Sequence, residues 1–513
     1  MPRRPLPSAT LPLVTLFSSG YLAPYLLPTL VGRLGSDFGL TPTQAGAVGS
    51  AMLLASAAAG LGLAARVAVV GAVRLARIGL TLLVLGFGTA AAAPAGELPL
   101  LLVGCLLGGL GAGTATAVAA AGTAAGRDPH RVSVLGLLVT SAVAGCLYLT
   151  LPHLGGGHSL PFACIAGWAA LALPWTSRLG GDAARERGTG RPAGRGAGRA
   201  AGKSGARGVG RVAQQGADRG TGRVEDRDGV GRGAGRVAQQ RLMRRAAGRP
   251  LPTRVAGGVL AVGLFLWSLA QNSLWGVSGR IGLERAGLSA PLLGLVFALA
   301  LGAGLIGTAS AGSLGTRFGR ALPIGLGTAA IAGCVALSAT AHSAGPFAVG
   351  EICWNAVYPF VLSYLLALAA RIDAGGRWAV LVGSASSLGV ACGPITGTLL
   401  TVHAGFTVTG AVLGATLLLV ALPMAAVAHA ADRGPAEAAA PGVEPAVVAA
   451  VEPLTAPVAV PAPELVAALL ALPEPEPTAL AGPELALALL TVPGPAASPT
   501  PAAVPAPVPV GSP

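Results

Sequence analysis

A carboxyl group and two further polar side chains share one face of an apolar segment. Glu351, Asn355 and Tyr358 follow one another at positions i, i+4 and i+7, which places them on one side of a helix. An ionisable side chain inside a bilayer costs roughly 2.5 to 3.5 kcal/mol on insertion scales, so one that persists needs water or a purpose. If this stripe faces a central cavity, Glu351 would neutralise a cationic solute or exchange a proton. Alternatively, Glu351 snorkels to the membrane surface, because it lies nearer the end of its segment than the middle.

Seven other aromatic or polar side chains lie in two further apolar segments: Trp267, Gln271, Asn272 and Trp275 in one, and Ser18, Tyr21 and Tyr25 in the other. Aromatic rings with a few amides suit a partly apolar organic molecule. Tryptophan and tyrosine also gather at membrane interfaces, and amides bond neighbouring membrane helices, so a purely structural role is the alternative.

The composition indicates that a bilayer positions these side chains. Of 513 residues, 53% are hydrophobic and 11% are charged, which leaves a water-soluble globule of this length too little polar surface. A helical crossing needs roughly 20 apolar residues, and the sequence offers twelve such runs. They lie near 10–31, 44–64, 78–96, 98–124, 132–153 and 159–176, and near 255–276, 290–311, 322–343, 346–370, 378–403 and 406–429. We predict an all-α integral membrane protein with twelve transmembrane helices in two six-helix bundles, residues 1–177 and 251–431.

The distribution of arginine predicts the orientation, because cytoplasmic loops retain basic residues. With the N-terminus inside, the short inner segments carry eleven arginines and the outer loops carry Arg33, Arg280 and Arg285. We therefore expect a multi-pass protein of the cell membrane with both termini in the cytoplasm.

Residues 178–250 join the two predicted bundles and hold 18 of the 34 basic residues. They are rich in Gly and Arg and repeat GRVAQQ, so they cannot bury enough apolar surface to fold. We predict a disordered cytoplasmic linker, either a solvated tether or a segment drawn to anionic lipids. The confinement of the positive charge to this linker argues against a nucleic-acid partner.

Residues 432–513 are rich in Pro and Ala with scattered Glu. Their apolar runs are too short to cross a membrane, and prolines separate them. We predict a disordered acidic cytoplasmic tail, with docking onto the basic linker as an alternative.

The stretch GSLGTRFGRA lies in the short loop between the eighth and ninth predicted helices. Its glycines permit a tight turn, and its arginines can bond helix C-terminal carbonyls. It resembles the GxxxDRxGRR loop motif of the major facilitator superfamily of transporters. Gly312, Arg317, Gly319 and Arg320 match, and Thr316 stands where the family usually has Asp. The resemblance implies that Arg317 and Arg320 help to lock one of two alternating conformations; a plain positive-inside anchor is the alternative.

Two further stretches resemble motifs of the same family. In the eleventh predicted helix, Gly389, Gly393, Pro394 and Gly397 resemble the Gly-Pro motif that antiporter members carry in their fifth helix. Small residues four apart let helices approach closely. In the fourth predicted helix, Cys105 stands where the family usually has an intramembrane Arg, so coupling through that Arg is not implied.

In this family helices one, four, seven and ten line the central cavity, and sites lie near the midplane between the repeats. The resemblance therefore places the following side chains on a solute: Glu351, Asn355, Tyr358, Gln271, Asn272, Trp275, Tyr21 and Tyr25. It implies a monomeric secondary active transporter that moves a small organic solute by alternating access, with efflux preferred and proton coupling left open. Its partners would be the solute and the lipid bilayer.

The sequence argues against one other class of protein and leaves a second one open. The chain has no GxxxxGK[ST] loop, and its histidines are scattered over loops and helix ends, so we expect neither ATP nor another cofactor, and no enzyme. A non-transporting membrane receptor or scaffold on the same fold stays open, because fold does not fix function. Its working part would be the linker or the tail.

Overall fold

Every regular element in the described part of the chain is a helix. The structure, a computed structural model, describes residues 10–126, 129–180, 252–315, 317, 319–372 and 377–433. Apart from their first residues, the predicted basic linker and acidic tail lie outside this description.

The helices form twelve membrane spans, numbered 1 to 12 in chain order. In the first half, span 1 comprises Thr10–Tyr25 and Leu27–Phe38, span 2 is Pro42–Ala64 with a further turn Val67–Val70, span 3 is Ala72–Ala92, span 4 is Leu98–Ala124, span 5 is Pro129–Leu154, and span 6 is Ser159–Ala172 continued by the 3-10 helix Leu173–Gly180. In the second half, span 7 is Thr253–Arg280 continued by the π-helix Ile281–Arg285, span 8 is Ala290–Leu314, span 9 is Ala321–Thr340, span 10 is Ala344–Ile372, and spans 11 and 12 share the helix Arg377–Arg433. Leucine, valine and isoleucine side chains remain exposed along many of them, such as Ile306 and Leu422, as expected of surfaces that face lipid.

The 57-residue helix Arg377–Arg433 contains two spans rather than one. At a rise of about 1.5 Å per residue it would be about 86 Å long, nearly three times the thickness of a hydrocarbon core of about 30 Å. Gly405 breaks it with φ 73° and ψ 170°, a backbone conformation that favours glycine. The predicted division between residues 403 and 406 is confirmed, and with it the twelve-helix fold.

Span 1 bends by 49° between its two helices. Pro28 has no N–H to give to the carbonyl of Pro24 one turn earlier, and its ring would collide with that carbonyl. The bend frees the carbonyls of Pro24 and Tyr25, and both accept hydrogen bonds from side chains of other spans.

Span 1 is also longer than the sequence predicted. The prediction ended it near residue 31, where Gly32 and Arg33 interrupt the apolar run, but the chain stays helical to Phe38. The Arg33 guanidinium donates hydrogen bonds to the carbonyls of Leu151, Gly155 and Gly157 in the turn between spans 5 and 6. The charge therefore braces this turn instead of ending the helix.

Spans 1–6 and spans 7–12 pack as two six-helix bundles, and glycines bring their helices close together. In span 4, a methyl group at Gly109 would overlap the Met52 carbonyl of span 2, and one at Gly113 would overlap the Ser56 carbonyl. Close backbone approach of this kind is how membrane helices gain packing contacts without a hydrophobic driving force.

The two bundles meet near one end. Because successive spans run in opposite directions, Thr10, Thr253 and Arg433 lie at one end, here called the terminal end, and Phe38 and Gly405 lie at the opposite, far end. The contacts between bundles pair span 2 with span 11, span 5 with span 8, and the second helix of span 1 with span 7. They involve the halves of these spans that are nearer the far end.

Candidate solute-binding site

Spans 7 and 10 are joined by a row of side-chain contacts, here called the span 7–10 ladder. The Trp267 ring stacks on Tyr358 with 5.1 Å between centroids and 15° between planes. One turn further towards the far end, Trp354 Nε1 donates to Gln271 Oε1 at 2.8 Å. Beyond this bond, Trp275 meets the Trp354 ring edge-on at 5.9 Å.

The ladder ends at Glu351, which is fully buried within the bundle. Ser278 Oγ of span 7 donates to Glu351 Oε1 at 2.8 Å. The alternative in which Glu351 snorkels to the membrane surface is therefore wrong, because its carboxyl is bonded inside the protein. The Ser338 hydroxyl of span 9 interacts with the same carboxyl, and both groups are fully buried.

Two of the candidate amides bond their own helices. Asn272 Nδ2 donates to the Ser268 carbonyl at 2.9 Å, and Asn355 Nδ2 donates to the Glu351 carbonyl at 2.9 Å. These bonds use only the amide nitrogens. Because both side chains are half-buried, their amide oxygens can reach a further partner. Of the predicted amides, Gln271 is the one whose side chain joins two spans.

Three tyrosines approach one another across the bundle interface. The phenol groups of Tyr21 and Tyr25 on span 1 lie close enough to that of Tyr358 on span 10 for electrostatic interaction. All three side chains are half-buried. Ser18 does not join them, because its hydroxyl accepts a hydrogen bond from Trp168 Nε1 of span 6 at 2.9 Å.

Sequence reasoning missed an aromatic row that continues from the ladder into the first bundle. Trp275 contacts Phe297 of span 8 at 5.2 Å, and Phe297 contacts Tyr148 of span 5 at 5.0 Å. The Tyr148 hydroxyl donates to the Tyr25 carbonyl freed by the bend in span 1, and Trp275 Nε1 donates to the Pro24 carbonyl at 3.1 Å. The Trp275 bond to Pro24 and the contact of Phe297 with Tyr148 therefore join the two bundles, whereas the Tyr148 bond to Tyr25 stays within the first bundle.

A cavity of about 450 Å³ lies between the bundles at the far end. Its walls come from the second helix of span 1, the ends of spans 5 and 7, and the starts of spans 2 and 8. Two arginines line it, but Arg33 is bonded to three carbonyls, and Arg280 forms an ion pair with Glu284 at 3.0 Å. Their positive charges are thus already engaged within the protein.

The Gly-Pro motif of span 11 packs against two neighbours. Gly389, Gly393 and Gly397 lie directly on the backbone of span 7, where a methyl group on any of them would collide. Pro394 contacts span 2, and the next residue, Ile395, donates its N–H to Ser50 Oγ of span 2 at 3.0 Å. The motif therefore contributes both to packing within the second bundle and to the contact between bundles.

The loop motif between spans 8 and 9 bonds to the end of span 12. The Arg320 guanidinium forms an ion pair with Asp432 Oδ1 at 2.6 Å, and the Arg320 N–H donates to Oδ2 at 2.8 Å. Gly319 adopts φ 68°, which brings the loop against that carboxylate, while Gly312 lies near the end of the span 8 helix. Arg317 is exposed. The loop has Thr316 where the motif that it resembles has Asp. The carboxylate that bonds to the loop comes instead from Asp432 of span 12.

Comparison with protein families gives one match: the model for the Major Facilitator Superfamily covers residues 13–374. No curated protein matches the chain.

Solved structures of similar fold include several transporters. The inward open conformation of the xylose transporter XylE from E. coli has a TM-score of 0.57 and 15% sequence identity, and the match covers 81% of this chain and 95% of that one. A D-xylose-proton symporter has a TM-score of 0.56 and 16% identity over 81% of this chain and 96% of its own. A mutant of the nucleoside transporter NupG has a TM-score of 0.52 and 11% identity over 82% of this chain and 99% of its own. At these identities the likeness concerns the fold.

Proposed function

This chain belongs to the Major Facilitator Superfamily, and we propose that it is a membrane transporter that exports a small organic solute by alternating access. The main support for the proposal is that Tyr21 and Tyr25 of the first bundle lie near enough to Tyr358 of the second for electrostatic interaction, while the bundles touch near one end. A solute held between these tyrosines would contact both bundles at once. Its binding could then favour one arrangement of the bundles over the other.

The proposed solute is partly apolar, and neutral or cationic. The half-buried rings of Tyr21, Tyr25 and Tyr358 offer partly exposed apolar surfaces, and the buried Trp267 supports Tyr358 from behind. Aromatic faces also attract cations, by about 0.5 to 2 kcal/mol each depending on exposure. Asn272 and Asn355 would supply their free amide oxygens to donors on the solute.

The proposed orientation places the terminal end in the cytoplasm of the cell membrane, because the arginine-rich short loops lie at that end. The far end then faces outwards, and the contacts between bundles lie on the outer side. The structure would correspond to an inward-facing state. Export would require these outer contacts to part while the bundles close at the terminal end.

The arginine loop is proposed to hold the second bundle together at the terminal end. Arg320 bonds to Asp432, and Tyr364 Oη donates to the Gly315 carbonyl of the same loop. Both bonds stay within the second bundle, so the loop would keep this end rigid while the bundle tilts. Arg317, which is exposed, is left to meet the first bundle or the membrane surface.

Residues 178–250 are proposed as a cytoplasmic linker that attracts anionic lipids, and residues 432–513 as a cytoplasmic tail, with the protein acting as a monomer. Deleting both segments, but keeping Asp432 and Arg433 at the end of span 12, separates transport from the scaffold alternative. A transporter should retain solute flux without them, whereas a scaffold should lose its activity.

The test of the function is a flux assay on purified full-length protein in proteoliposomes. A panel of drugs, sugars and amino acids is offered with an imposed proton gradient, with and without a protonophore. We expect at least one solute to be transported, and Tyr358→Ala to lower its flux about tenfold or more, the equivalent of about 1.4 kcal/mol. The matched control is Trp175→Ala, which also removes an aromatic ring. Trp175 lies at the end of span 6 beneath the Arg178 guanidinium, so its loss should leave flux unchanged. If no solute of the panel moves, the transport proposal is wrong and the scaffold alternative is favoured.

A further inference from the structure

Spans 3 and 6 bring three arginines together at the terminal end of the first bundle. Arg74 and Arg77 lie in the first two turns of span 3, and Arg178 lies in the 3-10 helix that ends span 6. The two spans pack side by side, with Phe87 stacked on Phe162 at 5.8 Å between ring centroids. All three arginine side chains are exposed, and a guanidinium is always charged, so this surface is strongly positive.

Two contacts position the guanidinium groups and leave most of their donors unused. Arg77 Nε donates to Thr176 Oγ1 at 3.4 Å, and the Thr176 hydroxyl gives its own proton to the Leu173 carbonyl at 2.7 Å. The Arg178 guanidinium lies over the Trp175 ring at 4.4 Å from its centroid, a contact that uses its face rather than its N–H groups. Because Trp175 and Thr176 are neighbours in the chain, the two charges are held beside the same short stretch of helix.

No carboxylate pairs with these arginines in the part of the chain that the structure describes. Its two ion pairs lie elsewhere, between Arg280 and Glu284 and between Arg320 and Asp432. Like charges repel one another unless an anion lies among them. The unused N–H groups can donate to such an anion in the paired geometry that suits phosphate oxygens.

The surface next to the arginines faces the hydrocarbon of the bilayer. Ile78 lies one turn after Arg74 on span 3 and is 45% exposed, and Leu85 lies two turns further along and is 59% exposed. On span 6, Leu171 lies one turn before Trp175 and is 68% exposed. Tryptophan gathers at the level of the lipid headgroups. The arginines therefore lie at headgroup level beside an apolar surface, as a phosphate lies beside the acyl chains of its own lipid.

We propose that spans 3 and 6 bind one anionic phospholipid, whose phosphate Arg77 and Arg178 hold between them. Its acyl chains lie along the exposed apolar side chains of the same two spans. Basic sites between membrane helices favour anionic headgroups. A zwitterionic lipid carries the same phosphate with a cationic group beside it, which the arginines repel.

This lipid site goes beyond the proposed transport function. The contacts between the bundles come from spans 1, 2, 5, 7, 8 and 11, so the lipid lies on a face of the first bundle that does not meet the second. The site also differs from the lipid attraction proposed for residues 178–250, because it depends on Arg77 of span 3 and on Arg178 within the described end of span 6.

The test is photo-crosslinking of the full-length protein in phosphatidylcholine nanodiscs that contain a trace of labelled lipid. Phosphatidylglycerol and phosphatidylcholine probes carry the same photoreactive acyl chain, and mass spectrometry measures the cross-links on spans 3 and 6. We expect at least about fivefold more labelling by the phosphatidylglycerol probe. Arg77→Gln and Arg178→Gln should each lower that labelling about fivefold, the equivalent of about 1 kcal/mol, because each removes one of the two guanidinium groups.

Arg254→Gln is the matched control, because it removes an exposed arginine at the terminal end of span 7 and should leave labelling of spans 3 and 6 unchanged. An equal loss in this control would show a general attraction of anionic lipid to basic surfaces, and overturns the site. Equal labelling by the two probes, or undiminished labelling in either site variant, also overturns it.

The source of the phosphate is tested by replacing chloride with inorganic phosphate at constant ionic strength. The proposal predicts that labelling of spans 3 and 6 is unchanged, because free phosphate lacks the acyl chains that the apolar surface holds. Loss of labelling would show a site for free phosphate and contradict the lipid assignment. None of these results depends on whether a solute is transported.

Discussion

The far end and the terminal end of the molecule are held by different kinds of contact. At the far end the bundles meet through backbone atoms and small residues: the Pro24 carbonyl, Gly46, the Ile395 N–H and Gly294. At the terminal end an ion pair between Arg320 and Asp432 joins spans of one bundle. The difference indicates that closure between bundles depends on shape and a few hydrogen bonds, which can part and re-form, while charge is used to fix a bundle internally.

The largest effect is expected where the backbones approach most closely. Gly46→Val would place a side chain against Thr398 and the Pro394 carbonyl of span 11, so the far end should no longer close. Overpacking costs about 1 to 3 kcal/mol, which would lower the ratio of closed to open protein roughly 5- to 150-fold. Solute flux and thiol labelling of a cysteine placed in the far-end cavity measure the change.

Gly62→Val is the matched control on the same span, because no atom lies within 4 Å of the added carbon. If both variants behave alike, the contact between spans 2 and 11 does not control closure.

A smaller loss is expected from Trp275→Phe. An aromatic ring is kept, but the half-buried Pro24 carbonyl loses its donor, at a cost of about 0.5 to 1.5 kcal/mol. Flux should fall severalfold, with far-end labelling raised. Trp378→Phe is the control, since it makes the same change at the terminal end of span 11, where Trp378 packs against Gly257 of span 7. Equal losses in the two variants would show that ring shape, rather than the bond between bundles, matters.

The smallest effect is expected at the terminal end. The Arg320 and Asp432 side chains are 12% and 23% exposed, so their ion pair should contribute about 1 kcal/mol or less. Arg320→Gln should lower the thermal stability of the purified protein slightly, and adding Asp432→Asn should cost little more. Arg317→Gln, at an exposed position, should leave stability unchanged. Additive losses from Arg320→Gln and Asp432→Asn would mean that the two side chains do not act as a pair.

The sequence predicted the twelve spans because apolar length is a local property of the chain, and it located the break before span 12 from the same pattern. It did not find Ser278, Ser338 or Tyr148, because their meeting with Glu351 depends on which helices become neighbours. Trp354 could have been found, since it lies three residues after Glu351 on the same helix face.

Arginines near the helix ends do more than mark orientation. The orientation prediction places Arg33, Arg280 and Arg285 in the outer loops. In the structure each has a partner: Arg33 bonds three carbonyls, Arg280 pairs with Glu284, and Arg285 bonds Thr407 Oγ1 at 2.7 Å. Such side chains stabilise loops. A count of basic residues on each side of the membrane therefore includes arginines whose role is structural.

The central claim is that the two bundles tilt as units, so that one end opens as the other closes. Spin labels on a cysteine-substituted background, one pair at Ser36 and Leu283 near the far end and one at Val69 and Leu322 near the terminal end, report both ends in lipid. In Gly46→Val, the far-end distance should lengthen and the terminal-end distance should shorten. A far-end distance that lengthens while the terminal-end distance stays fixed would contradict the claim.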